Sequence, residues 1–250
     1  MLWSDQRGRG PRMALVHGFT QTRRCWGPVA DDLAADHEVV AIDAPGHGRS
    51  AHVRADPWQS AGLLADVGGH ATYVGYSMGG RLCLHLGLAV PERVRALVVV
   101  GATAGMEDPA QRAARRAQDE QRARRLEAEG LEAFLERWLD QALFAGLAEE
   151  ARCREERREN TAAGLASSLR LAGAGAQEPL WHRLEDLAMP VLVMAGEHDR
   201  RFAALGRRMV EAVGDNATFA LVPGAGHAAH LEAPAAFLAV LRPWLAAQGL

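Results

Sequence analysis

The sequence predicts an α/β fold, with a mostly parallel sheet, helices on both faces and a helical cap insertion. Three observations point there. Six short apolar runs alternate with helical patterns, one long block has no strand pattern at all, and a G-x-S-x-G pentapeptide stands where a strand should turn into a helix.

The runs are Met13 to Val16, Glu38 to Ile42, Thr72 to Gly75, Ala96 to Val100, Val191 to Ala195 and Thr218 to Val222. Leu97-Val98-Val99-Val100 is apolar at every position, as expected of a strand buried on both faces of a parallel sheet. Gly or Pro follows most runs, where loops should begin. The segment Met1 to Pro11 is polar, carries Asp5, Arg7 and Arg9, and lacks the apolar stretch of a secretory signal.

From about Met106 to Leu171 the chain is rich in Ala, Arg, Glu and Leu, all good helix formers. Leu131, Phe134, Leu135, Trp138 and Leu139 follow helical spacing. Residues 106–180 are therefore expected to form a helical cap, inserted between a first core segment, 1–105, and a second, 181–250.

Composition narrows the function classes. A chain of 250 residues with 48% hydrophobic content fits one compact domain with a sizeable core. A net charge of −3 gives no reason to expect a nucleic-acid partner, and no apolar run is long enough to span a bilayer. All 28 basic residues are arginine, which a bias toward arginine codons explains. Cys25, Cys83 and Cys153 are an odd number at unrelated spacings. They make neither a disulfide framework nor a metal motif, and the expected setting is reducing and cytoplasmic.

Gly75-Tyr76-Ser77-Met78-Gly79 is the pentapeptide. A serine on a sharp strand-to-helix turn needs neighbours without bulky side chains, hence the glycines. Such a hydroxyl needs a base, and the base needs an orienting acid. His227 lies in the glycine-rich loop Pro223-Gly224-Ala225-Gly226-His227, after a strand, and Asp199 lies in Gly196-Glu197-His198-Asp199, after the strand before it. Both sit at strand C-terminal ends, where α/β sheets place their sites. Ser77, Asp199 and His227 are thus the expected catalytic triad. Among the competitors, Glu197 reads as a structural partner and Asp215 precedes its strand, at the wrong end of the sheet. His198 is a weaker base, and His230 reads as a packing or pocket residue. An oxyanion hole is expected from the backbone N–H groups of Met78 and Phe19. His17 reads as a hydrogen-bonded loop residue, and Asp43 to Ser50 as a turn-rich loop shaping the rim.

With these residues assembled, the chain resembles the α/β-hydrolase superfamily over nearly its whole length, which implies the α/β-hydrolase fold. His17-Gly18-Phe19, Asp43-Ala44-Pro45-Gly46-His47-Gly48 and the triad loops look like its standard elements. Finer features are Arg81 four residues past the serine, Gln111 to Asp119, Phe134 to Trp138, Leu143-Phe144, Arg157 to Asn160, and Leu169 to Trp181. Together they resemble the 2-succinyl-6-hydroxy-2,4-cyclohexadiene-1-carboxylate (SHCHC) synthases of menaquinone biosynthesis. The resemblance implies elimination of pyruvate from 2-succinyl-5-enolpyruvyl-6-hydroxy-3-cyclohexene-1-carboxylate, with no metal or organic cofactor. It also implies a serine acting as a base on a ring-system proton. Carried across, it assigns the small carboxylated substrate to Arg81, Arg115 and Arg158, to the cap aromatics Trp138 and Phe144, and to Tyr76. Arginine suits this task because its planar fork binds carboxylates bidentately. One departure is Glu178, an acid where a small residue is usual.

Two other readings share the fold. One is a serine hydrolase of a small carboxylated ester or a carbon–carbon bond substrate; the other is a non-catalytic binding protein. The arginines argue against neutral ester substrates, and the intact triad argues against a mere binder.

Overall fold

All 250 residues are described by a computed structural model. The sheet has seven strands: β1 (Ser4–Arg7), β2 (Arg12–Val16), β3 (Glu38–Ile42), β4 (Ala71–Tyr76), β5 (Val94–Val100), β6 (Val191–Gly196) and β7 (Ala217–Val222). Their spatial order is β1-β3-β2-β4-β5-β6-β7. Five of the six pairings are parallel, and only β1 runs antiparallel, against β3.

Six strands fall on the six apolar runs, and β1 is an addition. It is Ser-Asp-Gln-Arg, a mostly exposed edge with no apolar alternation for a periodicity argument to find. Backbone pairing from Ser4 opposite Ile42 to Arg7 opposite Val39 places it.

The inner strands are apolar on both faces because helices cover both. Along β2, Ala14 and Val16 enter one core while Met13 and Leu15 enter the other. Along β5, Leu97 and Val99 alternate with Val98 and Val100 in the same way. The first core packs on α2 (Pro57–Gly68), α3 (Met78–Ala89) and α8 (Arg200–Val213); the second packs on α1 (Gly27–Leu33) and α10 (Pro234–Ala247), with the short α9 (Ala229–Glu232) beside them.

Between β5 and β6 lie α4 (Pro109–Glu129), α5 (Leu131–Leu139), α6 (Arg154–Arg157) and α7 (Ala162–Ala172). Asp108 starts α4 by accepting the Ala110 amide at 2.8 Å, with Pro109 at the first helical position, and Gly130 ends it at φ 84°. These helices share a small core of their own, built on Leu126, Phe134, Leu165 and Leu169. Their outer face is laced with ion pairs, such as Arg170 bridging Glu120 and Glu127. No helix in the chain is long and apolar enough to cross a membrane.

Candidate active site

β4 ends at Tyr76 and α3 begins at Met78, which leaves Ser77 alone at the turn with φ 51° and ψ −106°. A non-glycine residue in this region stores roughly 1–3 kcal/mol of strain, so its surroundings must hold it there. They do: the Ser77 amide donates to the Val100 carbonyl at 2.8 Å, fastening the turn to β5. The glycine at 79 has a steric cause, because a Cβ there would lie 2.1 Å from the Val16 carbonyl oxygen.

Ser77 Oγ lies 3.3 Å from His227 Nε2, and His227 Nδ1 lies 2.7 Å from Asp199 Oδ2. The carboxylate accepts a hydrogen bond from Nδ1–H, which fixes the tautomer and leaves the Nε2 lone pair free to accept from the serine hydroxyl. Three loops converge here, from the ends of β4, β6 and β7. The loop carrying His227 is gripped by Glu232, whose carboxylate accepts the amides of Gly226 at 2.7 Å and Ala228 at 2.8 Å. Glu197 accepts the Gly224 amide at 2.9 Å, the structural part expected of it. Asp215 and His198 are exposed. His230 is buried, with its ring 4.4 Å from Tyr76 and 4.6 Å from Trp26. Burial, then the charges of Arg157 and His227, lower its pKa to about 3.

The amides of Phe19 and Met78 donate to no other protein group, and both residues line the cavity beside Ser77. Two buried imidazoles hold the Phe19 loop. His17 donates from Nδ1 to the Gly18 carbonyl at 2.8 Å and accepts the Ala44 amide at 3.1 Å. His47 donates to the Pro45 carbonyl at 3.0 Å and accepts the Thr20 amide at 3.4 Å. Burial is the main cause that pulls their pKa values down, to about 4 and about 3, so both are neutral.

A cavity of about 330 Å³ opens over Ser77 and His227, beneath the helices inserted between β5 and β6. Five arginines line it, Arg81, Arg115, Arg122, Arg157 and Arg201, and no carboxylate does. Arg81 is buried, and its one hydrogen bond is a long one, 3.4 Å to the Gln177 side-chain oxygen. Burial first and the charge of Arg115 second push its pKa down to about 10, against the pull of Asp119, so it keeps its proton. Arg115 and Arg122 share Asp119 Oδ1 at 2.9 and 3.0 Å, and Asp119 Oδ2 accepts the Gly175 amide at 3.2 Å. Phe19, Trp138 and Phe144 form one aromatic wall, with Trp138 5.0 Å from Phe19 and 6.1 Å from Phe144. Tyr76 completes the floor, and burial raises the pKa of its hydroxyl.

One expected site residue is displaced. Arg158 points outward and pairs with Glu132 at 3.0 Å and with Glu155. Its neighbour Arg157 faces the cavity instead, almost fully buried, donating to the Arg152 carbonyl at 2.8 Å and to the Thr20 hydroxyl. Adjacent helical residues point about 100° apart, and with Arg157 facing the cavity Arg158 is turned away from it toward Glu132 and Glu155. The sequence reading also missed Arg122 and Arg201, which lie among many solvated arginines, and Glu232, whose work is on backbone amides. Glu178 turns away from the cavity, accepting the Trp58 indole N–H at 2.6 Å. No group of His, Cys, Asp and Glu side chains is arranged to hold a metal ion.

Fold and site together define the class: residues 13–240 match the model of the alpha/beta hydrolase family, and the chain belongs to it. Within it the chain stands among the SHCHC synthases. The 2-succinyl-6-hydroxy-2,4-cyclohexadiene-1-carboxylate synthase of Serratia proteamaculans is 32% identical over 98% of this chain and 97% of its own. That of Enterobacter sp. strain 638 is 33% identical over 92% of this chain and 90% of its own. The structure of MenH from S. aureus superposes with a TM-score of 0.89 at 25% identity, over 100% of this chain and 99% of that one. An esterase from Thermogutta terrifontis superposes with a TM-score of 0.81 at 23% identity, over 99% of this chain and 93% of its own, and shares the fold.

Proposed function

We propose that this chain eliminates pyruvate from 2-succinyl-5-enolpyruvyl-6-hydroxy-3-cyclohexene-1-carboxylate to give SHCHC. One observation carries the reading: a serine–histidine–aspartate array opens into a cavity lined by five arginines and no acid. Such a lining suits a small polyanion and disfavours a neutral ester.

The chemistry follows from where charge develops. The ring carbon bearing the succinyl ketone carries the most acidic C–H bond of the substrate. Ser77 Oγ removes that proton while passing its own to His227 Nε2, and the Asp199 carboxylate stabilises the imidazolium. The ketone oxygen becomes an enolate, and the free amides of Phe19 and Met78 are its donors. The enolate electrons then move through the ring double bond and break the carbon–oxygen bond to the enolpyruvyl group. One C–H and one C–O bond break, the ring gains a second double bond, and the enol of pyruvate leaves with a proton returned from His227. No acyl-enzyme forms. Arg81 and Arg157, buried without carboxylate partners, hold two of the substrate carboxylates, and Arg115, paired with Asp119, adds positive charge from the edge of the cap, residues 106–180. Three free thiols support a reducing, cytoplasmic setting.

The test is pyruvate release from freshly prepared precursor, beside Ser77→Ala and corrected for spontaneous elimination. Release by the native protein, reduced about a thousandfold or more in the variant, is expected. Release at the spontaneous rate in both would move the assignment to a hydrolase of another carboxylated substrate.

A further inference from the structure

The cavity's arginines divide into two groups. Arg115 and Arg122 spend their charge on the shared Asp119. Arg81, Arg157 and Arg201 make no ion pair with any carboxylate of the chain. The proposed substrate has three carboxylates, on the ring, the succinyl arm and the enolpyruvyl group. Two buried guanidinium groups leave one carboxylate unmatched.

Arg201 stands on the side of the cavity that holds the reacting histidine. Its guanidinium carbon lies 5.6 Å from the centre of the Phe202 ring, and that ring lies 4.6 Å from the ring of His227. It is exposed yet lines the cavity, which places it at the opening. Its position is also poor for the helix that carries it. Arg200 and Arg201 begin α8 directly after its N-cap, Asp199, with no further acid in the first turn. A helix N-terminus carries partial positive charge and is disfavoured beside cations. The Asp199 carboxylate is engaged by His227 and the Phe202 amide and makes no ion pair with Arg201, so the helix end offers this arginine no partner, whereas an incoming carboxylate does.

We propose that Arg201 is a specificity-determining residue that takes the third carboxylate of the tri-anionic substrate at the cavity opening, beside His227. The proposal rests on the lyase reading above for its count of carboxylates. Arg200 supplies the control, because it adds the same charge to the same helix end but does not line the cavity.

The experiment compares native protein with R201Q, R201K and R200Q in pyruvate release, thermal melting and calorimetric binding of tricarballylate, a compact tri-anion. In R201Q, KM should rise about tenfold with kcat within about twofold, and tricarballylate should bind about tenfold more weakly. R201K should recover most of both, and R200Q should change neither. The melting temperature of R201Q should hold or rise; a fall would signal a structural role and overturn the proposal. Pyruvate release by native protein with an unchanged KM in R201Q, or an equal rise in R200Q, would overturn the role of Arg201 and leave the lyase reading in place. Tricarballylate binding that depends on Arg201, without any pyruvate release, would do the reverse. Neither release nor binding by native protein would overturn both.

Discussion

The carboxylate of Asp199 is divided between two partners: Oδ2 meets His227 Nδ1 at 2.7 Å, and Oδ1 accepts the Phe202 amide at 3.2 Å. One side chain thus caps α8 and orients the imidazole. The division predicts how Asp199→Asn fails. The Phe202 amide can only donate, so it claims the amide oxygen of the new side chain and turns the NH2 group toward His227. Nδ1 must then accept, the proton moves to Nε2, and the base for Ser77 is lost. Turnover should fall about ten-thousandfold while the melting temperature changes little, because the cap survives. Glu197→Gln, two residues earlier, disturbs only the Gly224 amide and should keep turnover within about threefold. Pyruvate release and thermal melting measured on both proteins decide it. Comparable activity in the two would remove Asp199 from the triad.

Arg157 and Arg158 form the second contrast. The first is buried against the cavity without a carboxylate partner, and the second is exposed between Glu132 and Glu155. Removing a buried guanidinium that binds a carboxylate costs about 3 kcal/mol, or roughly a hundredfold in kcat/KM. An exposed pair is worth about 0–1 kcal/mol in stability and nothing in binding. Arg157→Gln should therefore lose about a hundredfold in kcat/KM for pyruvate release, and Arg158→Gln less than twofold. A larger loss in Arg158→Gln would restore the register first expected.

These cases show what the sequence makes legible. Ser77, Asp199 and His227, which the fold brings together, can be nominated from the sequence because loops at strand ends advertise themselves through glycines and through order along the chain. Six strands are found because their runs are apolar, the inner ones on both faces. β1 escapes because an edge strand can be held by backbone pairing alone, whatever its side chains. The arginines of the helices between β5 and β6 escape for another reason. Which face of a short helix such as α6 looks inward is set by tertiary packing, and an arginine that binds substrate has the same letter as one that pairs with Glu132.

Glycine positions give a prediction of opposite signs. A Cβ at Gly79 would lie 2.1 Å from the Val16 carbonyl oxygen, in backbone that cannot retreat without moving β2 and the Phe19 loop. Gly79→Ala should cost about 2 kcal/mol or more and cripple turnover by disturbing the strand-to-helix turn that holds Ser77. Gly62 lies inside α2, and a Cβ added there would meet nothing within 4 Å. Gly62→Ala should stabilise by about 0.5–1 kcal/mol with activity unchanged. Denaturant melts of both variants check the pair, and a stable, active Gly79→Ala protein would contradict the close packing of the Ser77 turn against β2.

Stability should also depend on pH through the imidazoles that hold the Phe19 loop. His17 and His47 have folded-state pKa values lowered to about 4 and about 3, against 6.5 for a free imidazole. Burial is the first cause for both, and nearby Arg157 disfavours a second positive charge, while Asp43 pulls the other way on His47. Above pH 6.5 both states leave these rings neutral and they contribute no pH dependence. Below it the unfolded chain takes up protons that the folded chain refuses, so stability falls as pH drops from 6.5 toward 4. The slope reaches about 1.4 kcal/mol per pH unit for each fully linked histidine. His47→Gln keeps a side chain able to accept the Thr20 amide but removes one titrating ring. Its melting temperature should be lower than native at pH 7.5 and should fall less on going to pH 5, so the two curves converge. Parallel curves across that range would show that His47 is not held neutral in the folded protein.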